Sequence, residues 1–201
     1  MQVVARNGFE ATVQEIAEIS GVSPRTIFRH YRSQSALIAA TLRDMFETAN
    51  RPIDGLPRPC DDLDGWLEGL TFALHTRGVH IFGEVIWDLL HAPGATLPAM
   101  ISEIIDAQVD FRRQAVQYLT TNAWQAAGGK GQAPDSLASA FTVQLSPFTT
   151  QTLMVERGQT PAQVAALSAD VLKTLLQRAV DEQNRTQSDI AGAAGAGAGE
   201  N

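Results

Sequence analysis

Apolar residues recur along most of this chain at intervals of three and four positions, the spacing that places them on one face of an α-helix. Alternation of apolar and polar residues between turn signals, which indicates β-strands, does not stand out. The pattern therefore predicts an all-α protein. A turn is expected at Gly78, and Pro147 should kink or split the helix that contains it. Beyond residue 62 the predicted helices cover Asp64–Arg77, Val79–His91, Pro98–Ala127, Ser136–Arg157 and Pro161–Asn184.

Breaks rich in proline and glycine divide the chain into four parts. Residues 1–48 form a predicted N-terminal helical domain, and residues 49–62 form a proline-rich linker. Residues 63–187 form a second helical domain. Residues 188–201 are predicted to be a disordered tail, because positions 191–199 contain only alanine and glycine.

Two short helices joined by a glycine turn are predicted near the N-terminus. Thr12 and Glu15 fit a capping box at the start of the first helix. Gly21 provides the turn, and Ser23 caps the second helix, which has Pro24 at its first position. The inward face of the first helix is predicted to carry Val13, Ile16, Ala17 and Ile19.

The second of these helices separates polar from apolar side chains. At 100° per residue, a stripe of about 140° holds Arg25, Thr26, Arg29 and His30, with Ile27, Phe28 and Tyr31 on the other side. This arrangement is typical of a helix-turn-helix, which places its second helix in a DNA major groove about 12 Å wide.

The charge distribution supports the same segment. The chain has 15 Lys and Arg against 22 Asp and Glu, a net charge of -7, which argues against a protein that coats nucleic acid through bulk charge. Within residues 21–43, however, there are four arginines and no acidic residue. This window is where we expect contacts to phosphate.

Composition excludes several other classes of protein. Cys60 is the only cysteine, so an internal disulfide and a cysteine-based zinc or iron–sulfur site are ruled out. The N-terminus does not have the pattern of a secretory signal, and no run reaches the roughly 18 apolar residues of a membrane span. A cytoplasmic protein is therefore expected.

Residues 5–45 resemble the N-terminal DNA-binding domain of the tetracycline-repressor (TetR) family of bacterial regulators. The spacing from the glycine turn to the His30-Tyr31 pair and on to the next helix makes the combination specific. The resemblance is carried by Ala5, Gly8, Phe9, Thr12, Ile16, Ala17, Gly21-Val22-Ser23, Thr26-Ile27-Phe28, His30-Tyr31 and Ser33-Gln34-Ser35-Ala36-Leu37.

The resemblance implies an all-α homodimer with a three-helix DNA-binding domain. It also implies a C-terminal helical domain that binds a small molecule and dimerises through its last two long helices. Such proteins are ligand-responsive regulators, most often repressors, that bind a palindromic operator.

The sequence departs from the family pattern at several positions. Gln34 and Ser35 stand where lysine and an acidic residue are usual, and Phe28 stands where many members have tyrosine. Members also usually have a longer, basic segment before Ala5, which is the pattern expected of an N-terminus that is truncated or begun at the wrong residue. These departures predict weaker DNA binding than is usual in the family, for which Arg29 and Arg32 can compensate.

The candidate site residues follow from these observations. Arg25 is the best candidate for reading a base edge, and Tyr31 has an alternative role as a core residue with only its hydroxyl outward. The candidate DNA contacts are Thr12, Ser23, Arg25, Thr26, Arg29, His30, Tyr31 and Gln34. The candidate ligand contacts are Trp66, His75, Trp87, Phe111 and Tyr118, and the candidate dimer contacts are Val164, Leu167, Val171 and Leu175.

Other functions have less support in the sequence. His80, Glu84, Asp88 and His91 share a face of one predicted helix, but an exposed acidic stripe explains them better than a metal site. No nucleophile motif, P-loop or dinucleotide-binding turn is present, so neither an enzyme nor a cofactor is predicted. The alternative to a regulator is a helical small-molecule-binding protein with weakened or lost DNA binding.

Overall fold

The computed structural model describes residues 2–51, 53–82 and 97–196, and every regular element in these ranges is helical, which confirms the all-α prediction. The N-terminal part contains α1 (Gln2–Asn7, continued by a 3-10 turn at Gly8–Glu10), α2 (Val13–Ser20), α3 (Pro24–His30) and α4 (Gln34–Ala49). The remainder contains α5 (Leu63–Phe82), α6 (Ala99–Ala126), α7 (Asp135–Gln144), α8 (Pro147–Arg157) and α9 (Pro161–Ala196).

A small apolar cluster holds α2 and α3 together. Val13 and Ala17 of α2 are buried with Ile27 of α3 and Leu37 of α4. The ring of Tyr31 packs against the same cluster and is half-buried. This packing fixes the angle between the two helices of the helix-turn-helix.

A second cluster joins the N-terminal helices to α6. Leu42, Met45 and Phe46 of α4 are buried together with Ile101 and Ile104 of α6. The first half of α6 is therefore part of the same core as α4, although the two helices are far apart in the sequence.

The largest buried cluster of the described residues lies between α5 and α9, with α6 and α7 completing it. Leu67 and Leu172 are fully buried at this contact, and Trp124 of α6 is buried beside them. At the edge of the same contact, Lys173 Nζ lies 2.7 Å from Glu68 Oε1 and 3.7 Å from Asp64 Oδ1. The hydrogen bond with Glu68 is the main reason that the pKa of Lys173 is raised.

The predicted turn at Gly78 is wrong, because α5 continues through this glycine to Phe82. Pro147 packs against the helix at this point, where a Cβ added to Gly78 would lie 3.6 Å from the Pro147 Cβ. Tertiary packing thus outweighs the low helix propensity of glycine. The rest of the predicted helix Val79–His91 lies outside the described residues.

Two further helix boundaries bear on the predictions. The predicted helix Ser136–Arg157 is split at Pro147 into α7 and α8, one of the two outcomes expected for an internal proline. In addition, α9 continues to Ala196, past the start of the predicted disordered tail at residue 188. Alanine extends an existing helix at little cost, since no new nucleus is needed.

We predict opposite stability effects for alanine at two glycines. A Cβ on Gly129 would overlap the buried ring of Trp124, so Gly129→Ala should lower the free energy of unfolding by about 1–3 kcal/mol. Gly78→Ala adds a methyl group at ordinary contact distance inside a helix, so this variant should raise the free energy of unfolding by roughly 0.5–1 kcal/mol. Denaturant unfolding of both variants measures this, and a Gly129→Ala variant as stable as Gly78→Ala would contradict the packing described here.

Candidate functional site

The start of α2 is fixed by a complete capping box. The Glu15 amide donates to Thr12 Oγ1 at 3.2 Å, while the Thr12 amide and hydroxyl both donate to Glu15 Oε2 at 2.8 Å. Asn7 Nδ2 also donates to Glu15 Oε1 at 3.0 Å, which ties the end of α1 to α2. The hydrogen bonds from Thr12 are the main reason that the pKa of Glu15 is lowered.

The turn between α2 and α3 depends on Gly21 and Ser23. Gly21 has a φ of 68°, in the left-handed region, and the Val22 amide donates to the Ala17 carbonyl at 3.1 Å. Ser23 Oγ accepts from the Thr26 amide at 3.1 Å, and the two hydroxyls are 2.9 Å apart. The direction of α3 is therefore set by local hydrogen bonds as well as by packing.

The outer face of α3 carries the predicted cations. Arg25, Arg29 and His30 are exposed, and Thr26 is half-buried. Within the described residues, no ion pair joins Arg25 or Arg29 to an acidic side chain. The face can therefore donate hydrogen bonds to phosphate or to base edges.

Two predicted inward-facing residues are on the surface instead. Phe28 is 54% exposed and Ile19 is 55% exposed, whereas Ile27 is buried as expected. Phe28 lies only about 60° around the helix from Arg25, so it occupies the edge of the polar face rather than its opposite side. An exposed aromatic ring thus borders the cationic face of α3.

Three of the predicted DNA contacts, Thr12, Ser23 and Gln34, take part in local hydrogen bonds. The hydroxyls of Thr12 and Ser23 belong to the caps described above. Gln34 is exposed, but its Nε2 donates to the Ala11 carbonyl at 2.9 Å. Its amide thereby joins the start of α4 to the segment before α2.

A cavity of about 390 Å³ lies among the end of α4, the linker, α5, α6 and the start of α8. This volume is in the range of small-molecule sites. Most of its lining is apolar, including Phe46, Ile53, Leu70, Leu119 and Phe148. The polar lining residues are Asn50, Arg51, Arg77, Gln108 and Arg112.

Polar contacts at the cavity connect the end of α4 to α5 and α6. Asn50 Nδ2 donates to Gln108 Oε1 at 2.8 Å, and Gln108 Nε2 donates to Asn50 Oδ1 at 3.2 Å. Arg77 Nη1 donates to the Arg51 carbonyl at 2.6 Å and to the Ala49 carbonyl at 3.4 Å. The C-terminal end of α4 is thus held by α5 and α6 at the wall of the cavity.

The structure brings together two of the five predicted ligand contacts. Trp66 and Phe111 line the cavity. Tyr118 is 69% exposed and is not in the lining, and Trp87 lies outside the described residues. The cavity arginines and the two amides were missed, because nothing in the sequence shows that residues from separate elements converge.

His75 is buried behind the cavity rather than in its lining. The residue is 1% exposed, with Nδ1 2.6 Å from Thr150 Oγ1 and Nε2 3.1 Å from Ser168 Oγ. These contacts join α5 to α8 and α9. Burial lowers the pKa of His75, so the neutral imidazole is favoured.

The predicted dimer contacts have different environments. Val164 is fully buried inside its own subunit, and Leu175 packs against the core between α5 and α9. Leu167 is 43% exposed, and Val171 is half-buried. Among these four residues, Leu167 offers the most surface to another molecule.

Neither a metal-binding cluster nor a membrane-spanning helix occurs among the described residues. In the described ranges, no three His, Cys, Asp or Glu side chains lie close enough together to hold a metal ion. The stripe of His80, Glu84, Asp88 and His91 falls where the side chains are not described. No helix of the described ranges has the length and apolarity needed to cross a membrane.

Comparison with known proteins gives one match. Residues 1–41 match the family model described as bacterial regulatory proteins, tetR family. The matched segment contains α1, α2 and α3 and the first half of α4. No curated protein and no solved structure matches the chain.

We predict that acid destabilises the protein partly through His75. Its pKa lies below the ordinary value of 6.5 in the folded state, so the stability it contributes is present above that value and is lost as the pH falls below it. The free energy of unfolding should therefore decrease between about pH 7.5 and 5.5, and His75→Gln should decrease less over this range. Denaturant unfolding at both pH values tests this, and equal pH dependence in the two proteins would count against it.

Proposed function

Because the chain is a DNA-binding transcriptional regulator of the TetR family, we propose that it is a homodimeric repressor controlled by a small molecule. It binds a palindromic operator and acts in the cytoplasm, where the bacterial chromosome lies. The exposed cationic face of α3 is the observation that carries this proposal. The cavity beside α4 supports its ligand-responsive part.

In this proposal α3 is the recognition helix. Arg25, in its first turn, reaches a base edge, and Arg29 and His30 contact the DNA backbone. Thr26 and the hydroxyl of Tyr31 add hydrogen bonds. Thr12, Ser23 and Gln34 keep their local hydrogen bonds and contact phosphate from the same surface.

The proposed effector acts through α4. Phe46 and Ala49 of α4 line the cavity, and Arg77 and Gln108 hold the end of the same helix. A ligand that binds one orientation of α4 more tightly than another shifts the population between them. Since α4 packs on α1 and α2, this shift changes the position of the recognition helix.

The proposed dimer forms through α8 and α9. Leu167 and Val171 of α9 supply apolar surface, together with Val155 of α8, which is exposed. Val164 and Leu175 support this face from within the subunit. A two-fold dimer places two recognition helices about 34–36 Å apart, one turn of DNA.

A second candidate function is a helical ligand-binding protein with weakened operator binding. The observations that favour it are the uncharged Gln34, whose amide is bonded to Ala11, and Phe28, which has no hydroxyl for phosphate. Ligand binding without sequence-specific DNA binding would support this function over the first.

We predict that Arg25 and Arg29 carry operator binding. Arg25→Ala should weaken binding by roughly 1–3 kcal/mol and relax preference at one base pair, because it removes donors to a base edge. Arg29→Ala should weaken binding to all sequences and reduce the salt dependence by about one charge. The measurement is a salt titration with DNA from immediately upstream of the chain's own gene, competed with unrelated duplex.

Arg113→Ala is the matched control, since Arg113 is an exposed arginine of α6 paired with Asp110. Its operator affinity should equal that of the unaltered protein. Full affinity in both Arg25→Ala and Arg29→Ala would refute the assignment of α3 as the recognition helix.

We also predict that Leu167→Glu weakens the dimer. A charge at this exposed apolar position would be buried without a partner in the proposed interface, so the monomer should be favoured. Analytical ultracentrifugation measures the change. Gln114→Glu, an exposed position on α6 outside the proposed interface, is the control for added charge, and an unchanged Leu167→Glu dimer would show that the interface lies elsewhere.

A further inference from the structure

The polar side chains named in the cavity lining are amides and arginines. Asn50 and Gln108 satisfy each other through their paired amides. The other polar side chains in the lining are Arg51, Arg77 and Arg112, and the described lining contains no carboxylate. Its described lining therefore presents positive charge and hydrogen-bond donors to a ligand, with no negative group among these residues to neutralise them.

Arg112 is the cation best placed to meet a ligand. It lies in the middle of α6 and is half-buried, and its Nη2 donates to the Thr142 carbonyl at 2.7 Å. No ion pair with a described acidic residue involves its guanidinium. A planar guanidinium has five N–H donors, and this hydrogen bond uses one of them.

Arg77 and Arg51 differ from Arg112 in ways that matter here. Arg77 is engaged with two carbonyls at the end of α4, and Arg51 is exposed. Burial lowers the pKa of Arg112, which reflects the cost of removing its charge from water. A bound anion would offset that cost, and would gain a bidentate partner.

The other lining residues determine how polar the rest of the ligand can be. Trp66, Leu70, Leu119 and Phe148 make the wall apolar, so a ligand that fills the cavity needs an apolar body. A strongly hydrated dianion such as a phosphate monoester would lose its water to a mainly apolar surface. A carboxylate carries a single charge and matches the guanidinium fork.

We propose that the effector is a monocarboxylic acid with an apolar body, bound as its anion with the carboxylate on Arg112. The apolar body lies among Trp66, Leu70 and Leu119. This inference rests on the proposed function for the role of the cavity as an effector site, and it names the chemical class of the effector.

The test measures binding directly by equilibrium dialysis of the full chain against isotope-labelled decanoate and decan-1-ol. These probes share one apolar chain and differ in the carboxylate. The unaltered protein should bind decanoate more tightly, and Arg112→Gln should reduce decanoate affinity about tenfold or more, while decan-1-ol affinity stays the same. Arg112→Lys keeps the charge without the fork and should give an intermediate loss.

Arg113→Gln is the matched control, since it removes the neighbouring exposed arginine, and it should leave both affinities unchanged. Equal binding of the two probes, no decanoate binding by the unaltered protein, or undiminished decanoate binding by Arg112→Gln would each overturn the proposal. If Arg112→Gln does not fold, the probe comparison and Arg112→Lys decide the question.

The dialysis contains no DNA, so its result is independent of operator binding. Decanoate binding without operator binding would leave this proposal standing while the proposed function fails. Operator binding without decanoate binding would overturn this proposal and leave the DNA-binding part of the proposed function standing.

Discussion

The packing of α4 against α6 is the contact on which the rest of the structure depends. Met45 and Phe46 are buried with Ile101 and Ile104, and burial of each such side chain contributes about 1.5–3 kcal/mol. The helix α4 therefore contributes both to the cluster that holds α2 and α3 and to the contact with α6, so a movement of α4 would displace side chains in both.

The helix-turn-helix could be predicted because its determinants are local. The Thr12–Glu15 capping box, the Gly21 turn and the Ser23 cap each depend on residues within a few positions of one another. Periodicity alone wrongly predicted that Phe28 and Ile19 face inward. Both residues lie at the edges of their helical faces and are exposed. At such positions the neighbouring elements, rather than the helical angle, decide whether a side chain is covered.

The cavity could not be predicted in the same way. Its walls come from α4, the linker, α5, α6 and α8, and sequence spacing within one helix does not show which faces of different helices meet. Aromatic content selected Trp66 and Phe111, which line the cavity, and also Tyr118, which is exposed to solvent. Arg112 has the sequence pattern of an ordinary surface arginine, and only the fold shows that it lines the cavity and donates to the Thr142 carbonyl of α7.

Phe46 lies in the core between α4 and α6 and also forms part of the cavity wall. A substitution there would alter both the shape of the cavity and the stability of the fold, so selection on one property constrains the other. Val109 and Phe111 line the cavity from exposed positions outside the buried clusters. On the proposal that the cavity binds the effector, new effector preferences should therefore evolve on the α6 wall, while the α4 wall changes slowly.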